Sequence, residues 1–240
     1  MTAALRATGL ARRYGRLSVV DGVDLILAPG ERQALIGPNG AGKSTVLGLL
    51  AGNVRPTAGR ILLAGRDVTR AGAQRRARLG IGRTFQTPAV FASLSVRDNI
   101  RLAAGCSSGI RAAAGHLDAF GLTGSAAQPA GALPHGRRRL LEVAMALAGE
   151  PGVLLLDEPA AGLSDTEAGA LLDSLRRLPG RLGVLLVEHN QEFVRAFADT
   201  VTVLHQGRVL ARGTPAGIAA DPAVLDVYLG GVPLDREATQ

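Results

Sequence analysis

A single lysine is where the chemistry of this sequence begins. Of the 27 Lys and Arg residues among 240, only Lys43 is lysine, and every other one is arginine. It lies in Gly37-Pro38-Asn39-Gly40-Ala41-Gly42-Lys43-Ser44, followed by Thr45, which satisfies the G-x-x-x-x-G-K-[ST] pattern of a phosphate-binding loop. In such a loop the main-chain N–H groups wrap the phosphates, while a compact ammonium on a thin stem reaches between the β and γ oxygens. An arginine fork is too broad for that slot. With 32 glycines in the chain, a chance match is the competing explanation. The context opposes it: Gln33–Ile36 reads as a short buried strand and Ser44–Ala51 as a helix, which is the strand–loop–helix order the mechanism requires. A second group stands in Val153-Leu154-Leu155-Leu156-Asp157-Glu158, an apolar strand ending in two carboxylates. At the C-terminal end of a strand in a doubly wound sheet, Asp157 is placed to hold Mg²⁺, through water, beside the Ser44 hydroxyl. Glu158 can then orient or deprotonate an attacking water. Taken alone, Asp-Glu is an acidic strand end capping the helix that follows; downstream of a phosphate loop, the order favours chemistry.

The elements that must position these residues fall into three textures. Leu5–Leu27 alternates apolar and polar residues, with breaks at Gly15-Arg16 and Asp21-Gly22, and predicts strands of a small, mostly antiparallel sheet. Arg60–Ala64 and Gly80–Gln86 read as further strands, with a basic, helix-compatible stretch at Gln74–Arg78 between them. From Thr87 to Glu150 the chain turns Ala- and Leu-rich, with helices predicted at Val96–Ala104, Arg111–Phe120 and Arg138–Leu147. This reads as a helical lobe, residues 87–150, inserted between two halves of an α/β core, residues 1–86 and 151–231. Alternation then returns: strands at Val153–Leu156 and Gly183–Val187, helices at Asp165–Leu178 and Gln191–Ala198, and a hairpin of Val201–Leu204 with Arg208–Ala211. Pro215–Leu229 is helical in part, and 232–240 reads as a frayed tail.

Bulk properties exclude several classes. The length supports one large domain or a core with a lobe, enough to bury a sizeable core. No apolar run approaches the roughly 18–20 residues that span a bilayer, and the N-terminus lacks the pattern of a secretory signal. The one cysteine, Cys106, precludes an internal disulfide and fits a reducing compartment. A formal charge of +7 admits nucleic acid or an anionic membrane surface as partners. Arginine richness together with an anionic ligand explains the charge equally well, and 3% aromatic content argues against a base-stacking platform.

The chain closely resembles the ATP-binding subunits of ABC (ATP-binding cassette) transporters over Leu5–Leu229. The resemblance rests on GPNGAGKST at Gly37–Thr45, RTFQ ending in Gln86, VLLLDEP at Val153–Pro159 and VEHN containing His189. It implies a P-loop NTPase fold of the α/β class: a mostly parallel core sheet, an N-terminal antiparallel β subdomain and an inserted α-helical subdomain. It further implies an Mg²⁺-dependent ATPase. By the same resemblance Gln86 reaches the Mg²⁺ and the lytic water from a loop facing the membrane subunit. His189 contacts the γ-phosphate and holds the water with Glu158, and Tyr14 stacks on adenine. Taken singly, these three residues have plainer readings as a strand-end glutamine, a surface histidine and a tyrosine packed on the small sheet.

The family's Leu-Ser-Gly-Gly-Gln signature, which clamps the γ-phosphate held by the opposite subunit, is replaced here by Leu133-Pro134-His135-Gly136-Arg137. Gly136 and the helix after it retain a dipole aimed at phosphate. Pro134 removes a serine hydroxyl and an N–H, and one charge-assisted bond of that kind is worth about 1.5–3 kcal/mol. Arg137 and Arg138 offer compensating charge. The expectation is a weakened composite site on this chain's signature and an asymmetric dimer. RTFQ, His135, Glu158–Leu163, VEHN and the ending Asp221-Pro222-Ala223 to Tyr228-Leu229-Gly230 resemble one branch, the importers of branched-chain amino acids and of urea or amides. Partners implied are a second ATPase subunit, permease subunits and, indirectly, a solute-binding protein, with no nucleic acid. The implied location is peripheral, at the cytoplasmic face of the inner or plasma membrane. Two other readings remain: a soluble ABC ATPase acting on nucleic acid or ribosomes, and a nucleotide-binding regulatory cassette with a degenerate signature.

Overall fold

The structure, a computed structural model, describes residues 3–105 and 115–229. Two sheets organise it. The first comprises β1 (Leu5–Tyr14), β2 (Leu17–Leu27), β4 (Ala58–Leu63) and β5 (Arg66–Asp67), all antiparallel in the order β2-β1-β4-β5. The predicted break at Asp21-Gly22 does not occur. β2 runs through it, Gly22 adopts φ 71°, and the β1–β2 register slips at three places, so the strands stay paired through bulges instead of ending.

The second sheet has the order β10-β9-β3-β8-β7-β6, built from β3 (Arg32–Ile36), β6 (Ile81–Arg83), β7 (Val153–Asp157), β8 (Gly183–Val187), β9 (Thr200–His205) and β10 (Arg208–Gly213). Every pairing in it is parallel except the β9–β10 hairpin. Leu35 pairs with Val187 and Val187 with Asp157. The C-terminal ends of β3, β8 and β7 are therefore level and adjacent, and everything that follows them meets at one edge of the sheet.

The strands carry core on both faces. In β7 and β8, Val153, Leu155, Leu185 and Val187 point into a cluster with α1 (Lys43–Ala51) and the first sheet. Leu154, Leu156, Val184 and Leu186 point the other way, against α3 (Val96–Ala104), α5 (His135–Leu147), α6 (Asp165–Arg176) and α7 (Gln191–Phe197). That alternation is the two-residue period of a strand buried on both sides. The remaining helices are α2 (Ala73–Arg78), α4 (described over residues 115–119), α8 (Pro215–Ala219) and α9 (Pro222–Leu229). Of the helix predicted at 111–120, residues 111–114 lie outside the described residues, as do Cys106 and the tail 232–240.

Two boundaries differ from the sequence reading for a physical reason. The strand expected to reach Gln86 ends at Arg83; the Thr84 amide still bonds to the Leu155 carbonyl at 3.0 Å, but from Phe85 onward the main-chain groups bond to side chains of α5 in place of a ladder. Arg139 Nη1 donates to the Phe85 carbonyl at 2.6 Å, and Glu142 Oε1 accepts the Phe85 amide at 2.8 Å. α5 itself starts at His135, not Arg138, with Pro134 at the N-cap. At the far end of α1, the buried guanidinium of Arg76 donates to the carbonyls of Leu49 and Leu50 at 2.5 and 2.8 Å. It thus places a cation on the C-terminal pole of the helix that carries the phosphate loop at its other pole.

Candidate active site

The loop between β3 and α1 is shaped by its glycines. A Cβ at Gly37 (φ 149°) would lie 2.1 Å from the Leu204 carbonyl oxygen, and one at Gly42 (φ 102°) 2.7 Å from that of Val19. No other residue type fits at either place. Gly42 caps α1 without a side-chain hydrogen bond, which leaves the first amides of the helix available to an anion. Pro38, Asn39, Gly40 and Ala41 complete the turn, with Thr45 in the first turn of α1, and the Ala41 amide donates to the Pro38 carbonyl at 3.2 Å. Lys43 folds back over this loop: its Nζ donates to the carbonyls of Gly37 at 2.7 Å and Pro38 at 3.0 Å. Burial pushes the lysine's pKa down, while the nearby Glu158 and Asp157 pull it up. Three of the residues singled out in sequence are thus within one another's field.

Asp157 ends β7 and is buried. Its Oδ2 lies 3.4 Å from Arg83 Nη2, and its Oδ1 is buried without a hydrogen-bond partner. Burial pushes this carboxyl's pKa up, Arg83 opposes that, and Glu158 adds to it. An orphaned carboxylate oxygen beside a phosphate loop, with the exposed Ser44 at the start of α1, fits a hard divalent cation. Mg²⁺ is characteristically held by one or two protein oxygens together with substrate phosphates. Among the described residues no group of three or more His, Cys, Asp or Glu gathers to make an all-protein cage.

Glu158 follows in a left-handed backbone conformation, φ 47°, with its amide bonded to the Val187 carbonyl at 2.9 Å. This non-glycine strain turns the side chain towards the loop after β8. There Glu158 Oε1 meets His189 Nε2 at 2.8 Å. Sequence reasoning placed both residues in the site, and the structure brings them together. Gln86 lies in the loop after β6 with its side chain exposed and its carbonyl accepting from Arg139 Nη2 at 2.8 Å. Among the described residues no hydrogen bond joins its amide to Glu158 or His189. What the site can do chemically is hold a polyphosphate at the helix N-terminus and present a carboxylate–imidazole pair to its terminal phosphorus.

The family model of ABC transporters matches residues 20–161, and that of the branched-chain amino acid ATP-binding cassette transporter matches residues 208–232. The chain belongs to the ATP-binding proteins of ABC transporters. It is 42% identical over 233 residues to a protein of Azorhizobium caulinodans named "Probable ABC transporter ATP-binding protein", covering 95% of this chain and 83% of that one. It is 38% identical to the high-affinity branched-chain amino acid transport ATP-binding protein LivG of Escherichia coli, over 94% of this chain and 97% of LivG. Its fold matches that of MJ1267, an ATP-binding cassette of an ABC transporter, with a TM-score of 0.87 at 26% identity, over 96% of this chain and 100% of that chain.

The other residues expected in the cassette's machinery lie on β1 and around the start of α5. Tyr14, at the end of β1, is 48% exposed, and the Arg12 guanidinium sits 4.2 Å from its ring centroid. One face of that ring is therefore already stacked on a cation. Leu133 is buried, Pro134 and His135 are exposed, and Arg137 Nη1 donates to Ser125 Oγ at 2.9 Å. The close approach expected at Gly136 is already taken within the chain. A Cβ there would fall 2.1 Å from Glu167 Oε1, the carboxylate that also accepts the Ser164 amide in the capping box of α6. Glu167 thus sets an anion against the N-terminus of α5, which its spacing from the signature does not reveal. Arg83 and Glu188 were likewise missed. Arg83 and Glu188 enter the sequence reading only as members of RTFQ and VEHN, with no role of their own.

Proposed function

We propose that this chain is the ATP-hydrolysing subunit of an ABC importer, working with a second cassette beneath permease subunits at the cytoplasmic face of the membrane. The observation that carries the reading is the 2.8 Å contact of Glu158 with His189, level with the loop over which Lys43 is folded. Lys43 and the first amides of α1 hold the β- and γ-phosphates of ATP. Glu158 takes a proton from water as its oxygen attacks the γ-phosphorus; the bond to the β–γ bridging oxygen breaks, and ADP leaves with that electron pair. His189 fixes the carboxylate and the water by its ring nitrogen. Asp157, Ser44 and Gln86 are the residues that would hold Mg²⁺, which neutralises phosphate charge when bound. In this reading residues 1–86 and 151–231 form the catalytic core, and the lobe 87–150 delivers Leu133–Arg137 to the partner's nucleotide.

The solute is a branched-chain amino acid or a related small polar compound such as urea or an amide. The similarity to LivG and the match of residues 208–232 favour the former. A solute-binding protein feeds the permease. The test is reconstitution of the cassette with its neighbouring permease and second cassette in vesicles. We expect ATP-driven uptake of leucine or isoleucine that disappears with Glu158→Gln. ATP turnover indifferent to any solute would contradict the importer assignment.

One observation favours a narrower variant of this reading. Pro134 caps α5 with no side-chain bond, and Glu167 opposes an anion there. The composite site that uses this chain's signature is then the weaker of two, and the second cassette supplies the competent one.

A further inference from the structure

A third carboxylate adjoins Glu158 and His189, and the mechanism above gives it no task. Glu188 follows the last residue of β8 and is 4% exposed. Its Oε1 accepts the Ala160 amide at 2.9 Å. Its Oε2 accepts the amides of His189 at 2.8 Å and Asn190 at 3.2 Å. The donors belong to two different loops, one after β7 carrying Glu158 and one after β8 carrying His189. Asn190 in turn caps α7 through the Phe193 amide at 3.0 Å, so the second loop is anchored to a helix. The first loop is held from both sides of its strained residue, with the Glu158 amide on the Val187 carbonyl and the Ala160 amide on the Glu188 side chain.

We propose that Glu188 is a positioning residue for hydrolysis, clamping the Glu158 loop to the His189 loop and thereby setting the separation of that pair. This inference rests on the reading of Glu158 and His189 as the groups that handle the attacking water. The residue type is dictated by the geometry. Three amide donors converge on one side chain, and only an ionised carboxylate accepts at both oxygens while donating from neither. Glutamine would turn an NH₂ group against at least one amide and release one loop. Aspartate, a methylene shorter, keeps the charge and loses the reach to both loops.

Glu188→Gln and Glu188→Asp, made in the full chain alone and on a His189→Ala background, test this. A misplacement of about 1 Å in a reacting pair lowers turnover by about 10²-fold, so kcat is expected to fall about 10- to 100-fold. KM for ATP should stay within about twofold, because the phosphate loop is untouched. The ¹⁵N resonances of the His189 ring, assigned by their loss in His189→Ala, should move while the amide resonances of residues 37–45 do not. On the His189→Ala background the substitutions should add nothing further, since they act through the same group.

Unchanged kcat and unmoved ring resonances would overturn the proposal. So would kcat, KM and Tm worsening together, or full additivity with His189→Ala, since each is the mark of a merely structural role. Should Glu188→Gln fail to fold, Glu188→Asp carries the same comparison. If His189→Ala itself turns over like wild type, the catalytic reading of the pair fails, and the ring resonances alone decide whether the clamp exists.

Discussion

Asp157 is held where ionisation is unfavourable: one oxygen lies 3.4 Å from Arg83, and the other is buried with no partner. Its raised pKa has burial as the first cause, and the attraction of Arg83 only partly offsets it. Such a carboxyl is most compatible with the fold below its unfolded pKa, near the ordinary aspartate value of 3.8. It weakens the fold as pH rises through its higher folded pKa. At neutral pH without nucleotide, the neutral isostere in Asp157→Asn should therefore raise Tm. The expected gain is about 2 °C, measured by thermal melts. Arg83 does not reverse the sign, because it keeps its bonds to Asn53 Oδ1 at 2.8 Å and to the Thr84 carbonyl at 3.1 Å. The same variant should lose the stabilisation expected of wild type with Mg²⁺ and ATP, about 2.7 kcal/mol at a hundredfold excess over Kd, read as a missing rise in Tm. A variant less stable than wild type without ligand would contradict this account of the site.

At the scale of elements, the decisive connection is between α5 and the loop after β6. Arg139 and Glu142 are buried and paired at 2.9 Å. Between them they satisfy the amide and carbonyl of Phe85, the carbonyl of Gln86 and, at 3.3 Å, the amide of Ala89. The loop carrying Gln86 is thus tied to α5. Arg139→Met should destabilise the chain by about 3 kcal/mol, because it leaves Glu142 buried and unpaired. Hydrogen exchange at Phe85 should accelerate well beyond the global change; protection there matching wild type would sink the clamp. The sequence made the phosphate loop and Asp157-Glu158 legible because their chemistry needs neighbours in the chain, and a local pattern records that. It placed α3 and β8 at the boundaries observed, since both carry strong periodicity between clear stops. It overran β6 because the partners of Phe85 lie more than fifty residues away, at 139 and 142. The Arg83–Asp157 pair, the Glu188 clamp and the Glu167–Gly136 contact were hidden for the same reason. Each joins residues that only the tertiary fold brings together.

At the scale of the whole molecule, the sheet brings the phosphate loop, Asp157, Glu158 and His189 to one edge. The signature stands at the start of α5, where Glu167 already occupies the space against Gly136. In the proposed reading, such a cassette supplies a catalytic half and a modified signature half. Its function rests first on whether the catalytic half hydrolyses ATP. Release of phosphate from ATP and Mg²⁺ by the full chain with its second cassette, wild type against Glu158→Gln, measures this most directly. The account predicts a fall in turnover of about 10²-fold or more, with ATP binding retained through Lys43 and the loop amides. Turnover unchanged by Glu158→Gln would contradict it, and the carboxylate–histidine pair would then have no part in the chemistry.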